Sequence, residues 1–298
     1  MTADIVCHPK SDAMTEPDNS GSVCRATNND LATLPRYARL PINRCNVPAT
    51  ILGSLTFQRF PSLLQLDSVA ELHADLFLRL ERIADKEARA TAFRDYLTVH
   101  FCLEALEKAG LTERSKQRAN ANWLRVLRGW SFDSDGREGA ILKGWVESRF
   151  GLVPRFHGEP LRDFSGQAYL RYQEMRSAGL YGTNALEAQL DLVYAYGQYE
   201  FQRAAPVLPH IELYRGINRI AEHEILTGSK HRQIVLFNNL VSFTSSRDRA
   251  SEFGDYILTT RVPTAKIFFN CGLLPGVLKG EDEHLVIGGV YDIAIDTL

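Results

Sequence analysis

The feature that most constrains this chain is a change of period near Pro206. Upstream of it, apolar residues recur at three- and four-residue steps: Val69, Leu72, Leu76, Leu80 and Ile83 make one face. Comparable helical stretches follow at 90–109, 113–130, 137–149, 164–178 and 184–203. Ser68 with Glu71 reads as a capping box for the first, and Asn184 with Glu187 opens the last. Downstream, HIELYRGI, QIVLFNNLVSFTSS, DYILTTRVP, AKIFFN and HLVIGGVYDIAI are short, rich in β-branched and aromatic residues, and separated by Gly, Pro, Asn and Asp. The two patterns predict an α+β chain, helical first and β-rich in its last third. No spacing of about 20–50 residues repeats, which argues against a solenoid.

Residues 1–35 mix Asp, Asn, Ser, Thr and Pro with little to bury, the composition of a disordered or draped arm. Residues 36–205 form a mainly helical part and 206–298 a β-rich core, together expected as one domain. Within the former, 40–66 carries prolines at 41, 48 and 61 and reads as loop with room for one strand.

Composition narrows the classes of function. The 298 residues are 45% hydrophobic and 23% charged, ample for a globular core. A net charge of −2 gives no global attraction to nucleic acid or to an anionic membrane. Five scattered cysteines with no CxxC pair are unlike a disulfide framework and point to a reducing cytoplasm. No run approaches about 18 apolar residues, and MTADIVCHPKSDAM lacks the basic start and apolar centre of a secretory signal.

The common chemical motifs are missing. The eight histidines are dispersed without HExxH, and AEHEIL at 221–226 offers one His beside two acids on what reads as a helix, so no metal is expected. There is no GxxxxGK[ST], no GxGxxG between a strand and a helix, and no GxSxG around SFTSS at 242–246. Alone, those hydroxyls read as a strand end that satisfies its own backbone.

One cluster resists that plain reading. Glu281, Asp282 and Glu283 run straight into a strand, although acids disfavour strands and repel one another. Strand alternation would place Glu281 and Glu283 on one side, about 7 Å apart, with Asp282 on the other. Two such carboxylates can divide labour in glycosyl chemistry, one stabilising a cationic sugar carbon and the other serving the nucleophile. The alternative is a solvated strand entry. Arg215 stands at the end of another alternating segment, just before Gly216, where a guanidinium can grip phosphate in bidentate fashion.

Taken in order, the Arg of LYRG, the hydroxyls of SFTSSRDRASEFG and the Glu-x-Glu resemble the R-S-E class of ADP-ribosyltransferases, which transfer ADP-ribose from NAD to a protein side chain. The resemblance spans about residues 208–298 and implies an NAD-binding core of two packed small sheets. It implies that Arg215, with Gly216, holds the NAD phosphates, and that Thr244-Ser245-Ser246 matches a motif that is commonly Ser-Thr-Ser. A hydroxyl of that triplet would steady the catalytic acid, with Ser242 or Ser245 as alternatives. Phe253 would lie beside the nicotinamide ring, Glu283 would be the catalytic acid, and Glu281 would mark enzymes that act on arginine.

The whole chain, with its helical half and the text FNNLVSFTSSRDRASEFGDYIL, resembles the dinitrogenase reductase ADP-ribosyltransferases of nitrogen-fixing bacteria. That likeness implies NAD as co-substrate without a metal, and the nitrogenase iron protein as a substrate inactivated in response to nitrogen or energy status. It further implies a PII-type signal protein as regulator, with neither nucleic acid nor membrane insertion involved. The alternative functions are an NAD glycohydrolase and a non-catalytic NAD-binding or signalling module. Residues 68–205 carry no motif of the transferase; a regulatory or substrate-docking use of that half would fit, and its plain reading is a helical scaffold. The loop CGLLPGVLKG at 271–280 is either a mobile segment that touches a protein surface or a loop folded back on the core.

Overall fold

A computed structural model describes residues 32–104, 122–181, 183–204, 206–219, 223–276 and 282–297. All but the last four residues of the expected arm therefore lie outside the description; of those four, Leu34 is buried in the main core.

The helical part opens with two short helices, α1 (Ala49–Leu52) and α2 (Leu55–Arg59), where the sequence had read as loop. Both are too short to show a period. Pro48 leads into the first, and Ser54 caps the second by accepting the Phe57 N–H at 3.3 Å. The capping box at Ser68 does not form. Ser68 takes a left-handed backbone (φ 65°) and its side chain makes no cap bond, so the expected long helix is broken at His73 into α3 (Val69–Leu72) and α4 (Ala74–Glu81). Next comes α5 (Lys86–His100), capped by Asp85, which starts earlier and ends earlier than its periodicity implied.

Among the described residues four more helices follow: α6 (Trp123–Phe132), α7 (Arg137–Phe150), α8 (Gln167–Leu180) and α9 (Leu186–Arg203); the part of the expected 113–130 helix before 122 lies outside the described residues. Helix α6 is capped by Asn122, and buries Trp123, Val126, Leu127 and Trp130 at helical spacing. The central α7 is buried nearly all round. Its polar residues are paired: Arg149 donates to both oxygens of Asp191 at 2.8 and 2.9 Å, and Glu147 accepts from Arg176 at 3.0 Å. Asn184 does not cap α9; its amide donates to the Phe101 carbonyl.

After a two-residue hairpin, β1 (Phe156–His157) with β2 (Glu159–Pro160), six strands make one sheet: β3 (His210–Ile217), β4 (Glu224–Gly228), β5 (Arg232–Thr244), β6 (Tyr256–Pro263), β7 (Ile267–Asn270) and β8 (Glu283–Thr297). Strand β4 corrects the helical reading of AEHEIL. A short helix, α10 (Arg247–Ser251), follows β5.

All strand pairings are antiparallel. The stretch β4-β5-β8-β7 faces the β3–β6 pair across an interior that includes Leu213, Val235, Phe237, Val241, Leu258, Val286 and Tyr291. The two layers are stitched at their corners, by Tyr214 opposite Thr244 on one side and by β6 against the end of β8 on the other. The other face of β5 and β8 packs through Ile234, Leu236, Leu240, Ile287 and Val290 on the helices. Both faces of these strands are covered, which is why they read as nearly continuous apolar text.

The strand β5 bulges at Asn238 and Asn239, opposite Gly288. Asn239 donates to the carbonyls of Lys143 and Leu152 at 2.7 and 2.9 Å, tying sheet to α7. A Cβ on Gly288 would lie 1.7 Å from the Asn238 carbonyl oxygen, so only glycine fits there. Close by, the fully buried Lys266 donates to the Gly288 carbonyl, and its ammonium lies 4.5 Å from the Tyr291 ring centroid. Burial brings its pKa down from 10.5 to about 7.

Candidate active site

Three strand ends bring the site together. Arg215 lies near the end of β3, Ser242 and Thr244 at the end of β5, and Glu283 at the first residue of β8, paired with Thr244. The Arg215 guanidinium donates from Nη1 to the Ser242 carbonyl at 2.8 Å. The Ser242 hydroxyl donates to Glu283 Oε1 at 2.6 Å. Of the hydroxyls weighed from sequence, Ser242 therefore holds the acid, not a member of 244–246.

Those three have other partners. Thr244 Oγ1 accepts the Ser246 N–H at 3.1 Å, and Ser246 Oγ caps α10 by accepting the Arg249 N–H at 3.2 Å. Ser245 gives both its N–H and its hydroxyl to the Asp282 carboxylate.

Two further donors come from the helical half, and sequence reasoning missed both. Trp130 Nε1 lies 2.9 Å from Ser242 Oγ and 3.2 Å from Glu283 Oε1, and Ser131 Oγ donates to Glu283 Oε2 at 2.8 Å. Trp130 is only 4% exposed, the last inward position of α6 before Ser131 ends the helix beside Phe132. The signal available in the sequence was general: a buried indole N–H needs an acceptor. Nothing in the text of α6 said that the acceptor would be a strand 153 residues away.

The acidic cluster differs from a regular strand entry. β8 begins at Glu283, and Asp282 has a left-handed backbone with φ 55°. Regular alternation therefore does not run back through Asp282, and it gives no ground for residues 281 and 283 to share a face. Glu281 itself lies outside the described residues, as do 277–280 of the preceding loop. The described part of that loop is folded inward, with Leu273 and Leu274 buried in the main core.

Gly216 and Gly254 let α10 close on the end of β3. A Cβ on Gly216 would lie 1.9 Å from the Ala250 carbonyl oxygen, and one on Gly254 would lie 2.3 Å from that of Ile217. This backbone approach sets Phe253, 57% exposed, close to the Arg215-Gly216 strand end. His223, half-buried, lies edge-on against Phe237; desolvation and then the Arg215 charge bring its pKa down to about 3, so it is neutral there. Among the described residues no three His, Cys, Asp or Glu side chains gather as metal ligands, and no helix is long and apolar enough to cross a membrane.

Comparison with known proteins decides the family. The profile of the dinitrogenase reductase ADP-ribosyltransferase (DRAT) family matches residues 42–295. An NAD(+)–dinitrogen-reductase ADP-D-ribosyltransferase of Rhodospirillum rubrum is 41% identical over 254 residues, covering 84% of this chain and 92% of the relative. The chain belongs to the DRAT family. It is an NAD-dependent ADP-ribosyltransferase, and the match runs through the helical half as well as the sheet. No solved structure matches it. At the strand mouth the Glu283 carboxylate carries donors on both of its oxygens, which holds it in one orientation.

Proposed function

We propose that this enzyme transfers ADP-ribose from NAD to an arginine of the nitrogenase iron protein, switching that protein off when nitrogen or energy status calls for it. The observation that carries the reading is the Glu283 carboxylate, held by Trp130, Ser242 and Ser131 at the mouth of the sheet. As nicotinamide leaves, positive charge develops on the ribose carbon. A fixed carboxylate at that carbon lowers the barrier, and the same group anchors a ribose hydroxyl.

Arg215 and Gly216 hold the NAD phosphates, with the 244–246 turn shaping that end of the pocket and Phe253 packing on the nicotinamide. The acceptor guanidinium, with a pKa above about 12, is a poor nucleophile while protonated. Glu281 pairs with it, orients one nitrogen and takes the proton as the bond to the sugar forms. The name of the Rhodospirillum rubrum relative supports the choice of acceptor. A PII-type signal protein is the regulator that this reading implies.

The test is incubation with labelled NAD and purified iron protein, comparing wild type with Glu283→Gln. Label on one arginine of the iron protein, and a loss on the order of 10² to 10³ in the variant, is the expected result. Nicotinamide release with no protein labelled would make the enzyme a glycohydrolase. A variant close to wild type would remove Glu283 from the chemistry.

A further inference from the structure

The strand fixes where Glu283 begins but not how its carboxylate is turned. A glutamate side chain has three rotatable bonds, and ordering it costs on the order of 1.5–2 kcal/mol. Backbone pairing with Thr244 places the Cα alone. If Ser242 were the sole donor, bonded to Oε1, the carboxylate could still swing about that oxygen. A second attachment, on Oε2, fixes its plane, and the structure supplies that attachment from α6 through Ser131 at 2.8 Å.

Trp130 adds a different constraint. A serine hydroxyl has one proton to give, and two directions in which to give it. With the indole N–H of Trp130 occupying a lone pair of Ser242 Oγ at 2.9 Å, the Ser242 proton is left to point at Glu283 Oε1, 2.6 Å away. The result is a directed chain, indole to hydroxyl to carboxylate, in which each bond polarises the next. The indole is itself well seated: Trp130 is buried, and the Lys143 ammonium, bonded to Asp135 at 2.7 Å, lies 5.8 Å from its ring centroid.

We propose that Trp130 and Ser131, at the C-terminal end of α6, are positioning residues of the transferase, setting the orientation of the catalytic carboxylate from the helical half. The proposal rests on the assignment of Glu283 as the catalytic acid. It makes that half part of the catalytic machinery, since among the described residues the sheet supplies a side-chain donor to one oxygen of Glu283 and α6 supplies the donor to the other. Trp130 directs the Ser242 proton and steadies Oε1, the inner oxygen. Ser131, exposed at the helix end, holds Oε2.

The test uses the full chain and four variants: Trp130→Phe, Ser131→Ala, Ser131→Thr and Glu283→Gln. Nicotinamide release and labelling of the iron protein are measured with NAD varied, and thermal unfolding reports on the fold. Loss of one hydrogen bond to a charged group predicts that Trp130→Phe and Ser131→Ala each lower kcat by about 10- to 100-fold while KM for NAD stays within about twofold. Ser131→Thr keeps the hydroxyl and restores turnover to within about threefold of wild type, which a merely structural role would not require.

Wild-type kcat in both Trp130→Phe and Ser131→Ala, with Glu283→Gln inactive, overturns the proposal and leaves the acid in place. So does Ser131→Thr falling as far as Ser131→Ala, or a loss confined to KM. Should Trp130→Phe fail to fold, the Ala and Thr pair at the exposed position 131 decides. Full activity of Glu283→Gln would overturn the underlying functional reading and the proposal together.

Discussion

Arg215 and Ser242 are joined by a hydrogen bond from the guanidinium to the Ser242 backbone carbonyl, 2.8 Å long. The other end of Ser242, its hydroxyl, is bonded to Glu283. The residue proposed to hold phosphate and the residue proposed to face the sugar are thus linked through one serine. That linkage sets the first two predictions.

Ser242→Ala removes the shortest donor to Glu283 and the nearer of the two acceptors of the Trp130 indole at once. Turnover of NAD should fall by about 10- to 100-fold with the fold intact. Thr244→Ala takes nothing from Glu283, because Thr244 Oγ1 serves the Ser246 N–H, and should cost less turnover. Steady-state kinetics of nicotinamide release checks both, and the reverse ranking would return the orienting role to the 244–246 turn.

Arg215→Lys should act on two quantities. An ammonium cannot reproduce the planar fork, so the Kd for NAD should rise by about tenfold or more. The Ser242 carbonyl also loses its partner, so kcat should fall as well. Calorimetry with NAD separates the two effects: unchanged affinity with lowered kcat would leave Arg215 as a brace for Ser242 and not a phosphate clamp.

Glu281→Gln should uncouple the two halves of the reaction. If Glu281 serves only the incoming guanidinium, the variant binds NAD and releases nicotinamide slowly, but no longer labels the iron protein. A parallel fall in both activities, to the level of Glu283→Gln, would show that the two acids act as one unit. Neither falling would make Glu281 a solvated approach to the strand.

The pH dependence of stability should carry the mark of Lys266. Its pKa is 10.5 in the unfolded chain and about 7 when buried, so between those values the unfolded chain holds the extra proton. Stability therefore rises as pH climbs from about 7 toward about 10.5, and the cost of burying the amine is greatest below that window. Lys266→Met should flatten this slope and stabilise the protein near pH 6 by about 1–4 kcal/mol. Thermal unfolding from pH 6 to 10 measures it; parallel curves for the two proteins would count against the lowered pKa of Lys266.

How much of this was legible beforehand depended on the range of the interaction. The break at Pro206, the strand that carries Arg215 and the strand that begins at Glu283 follow from local period and turn chemistry, and they lie where the text placed them. Helix α7, closed by Gly151 at φ 70°, was equally local. The capping box at Ser68 failed because its consensus says nothing of the backbone, which tertiary packing holds left-handed at φ 65°. Strand β4 read as helix because five residues pairing with β5 carry too few apolar positions to show alternation. The choice of Ser242 over its neighbours turned on cross-strand register, which places Thr244 opposite Glu283 and leaves the side chain of Ser242 to reach it. Trp130 and Ser131 depended on how a helix seats against a sheet, and no window of sequence contains that.

The corner-stitched sheet also fixes an order of events in time. Strand β8 lies between β5 on one side and β6 with β7 on the other, so each of those has an open edge until it arrives. A chain that has left the ribosome only as far as β7 already holds Trp130, Arg215 and Ser242 but has no acid to place among them. Docking β8 brings together residues such as Gln58 and Asp292, 234 positions apart, the kind of long-range closure that takes milliseconds to seconds rather than microseconds. With Glu283 as the proposed catalytic acid, folding and switching on are a single step: the newborn enzyme would not consume NAD before its barrel-like core is shut, and a refolding chain should regain activity no sooner than its slowest sheet contacts.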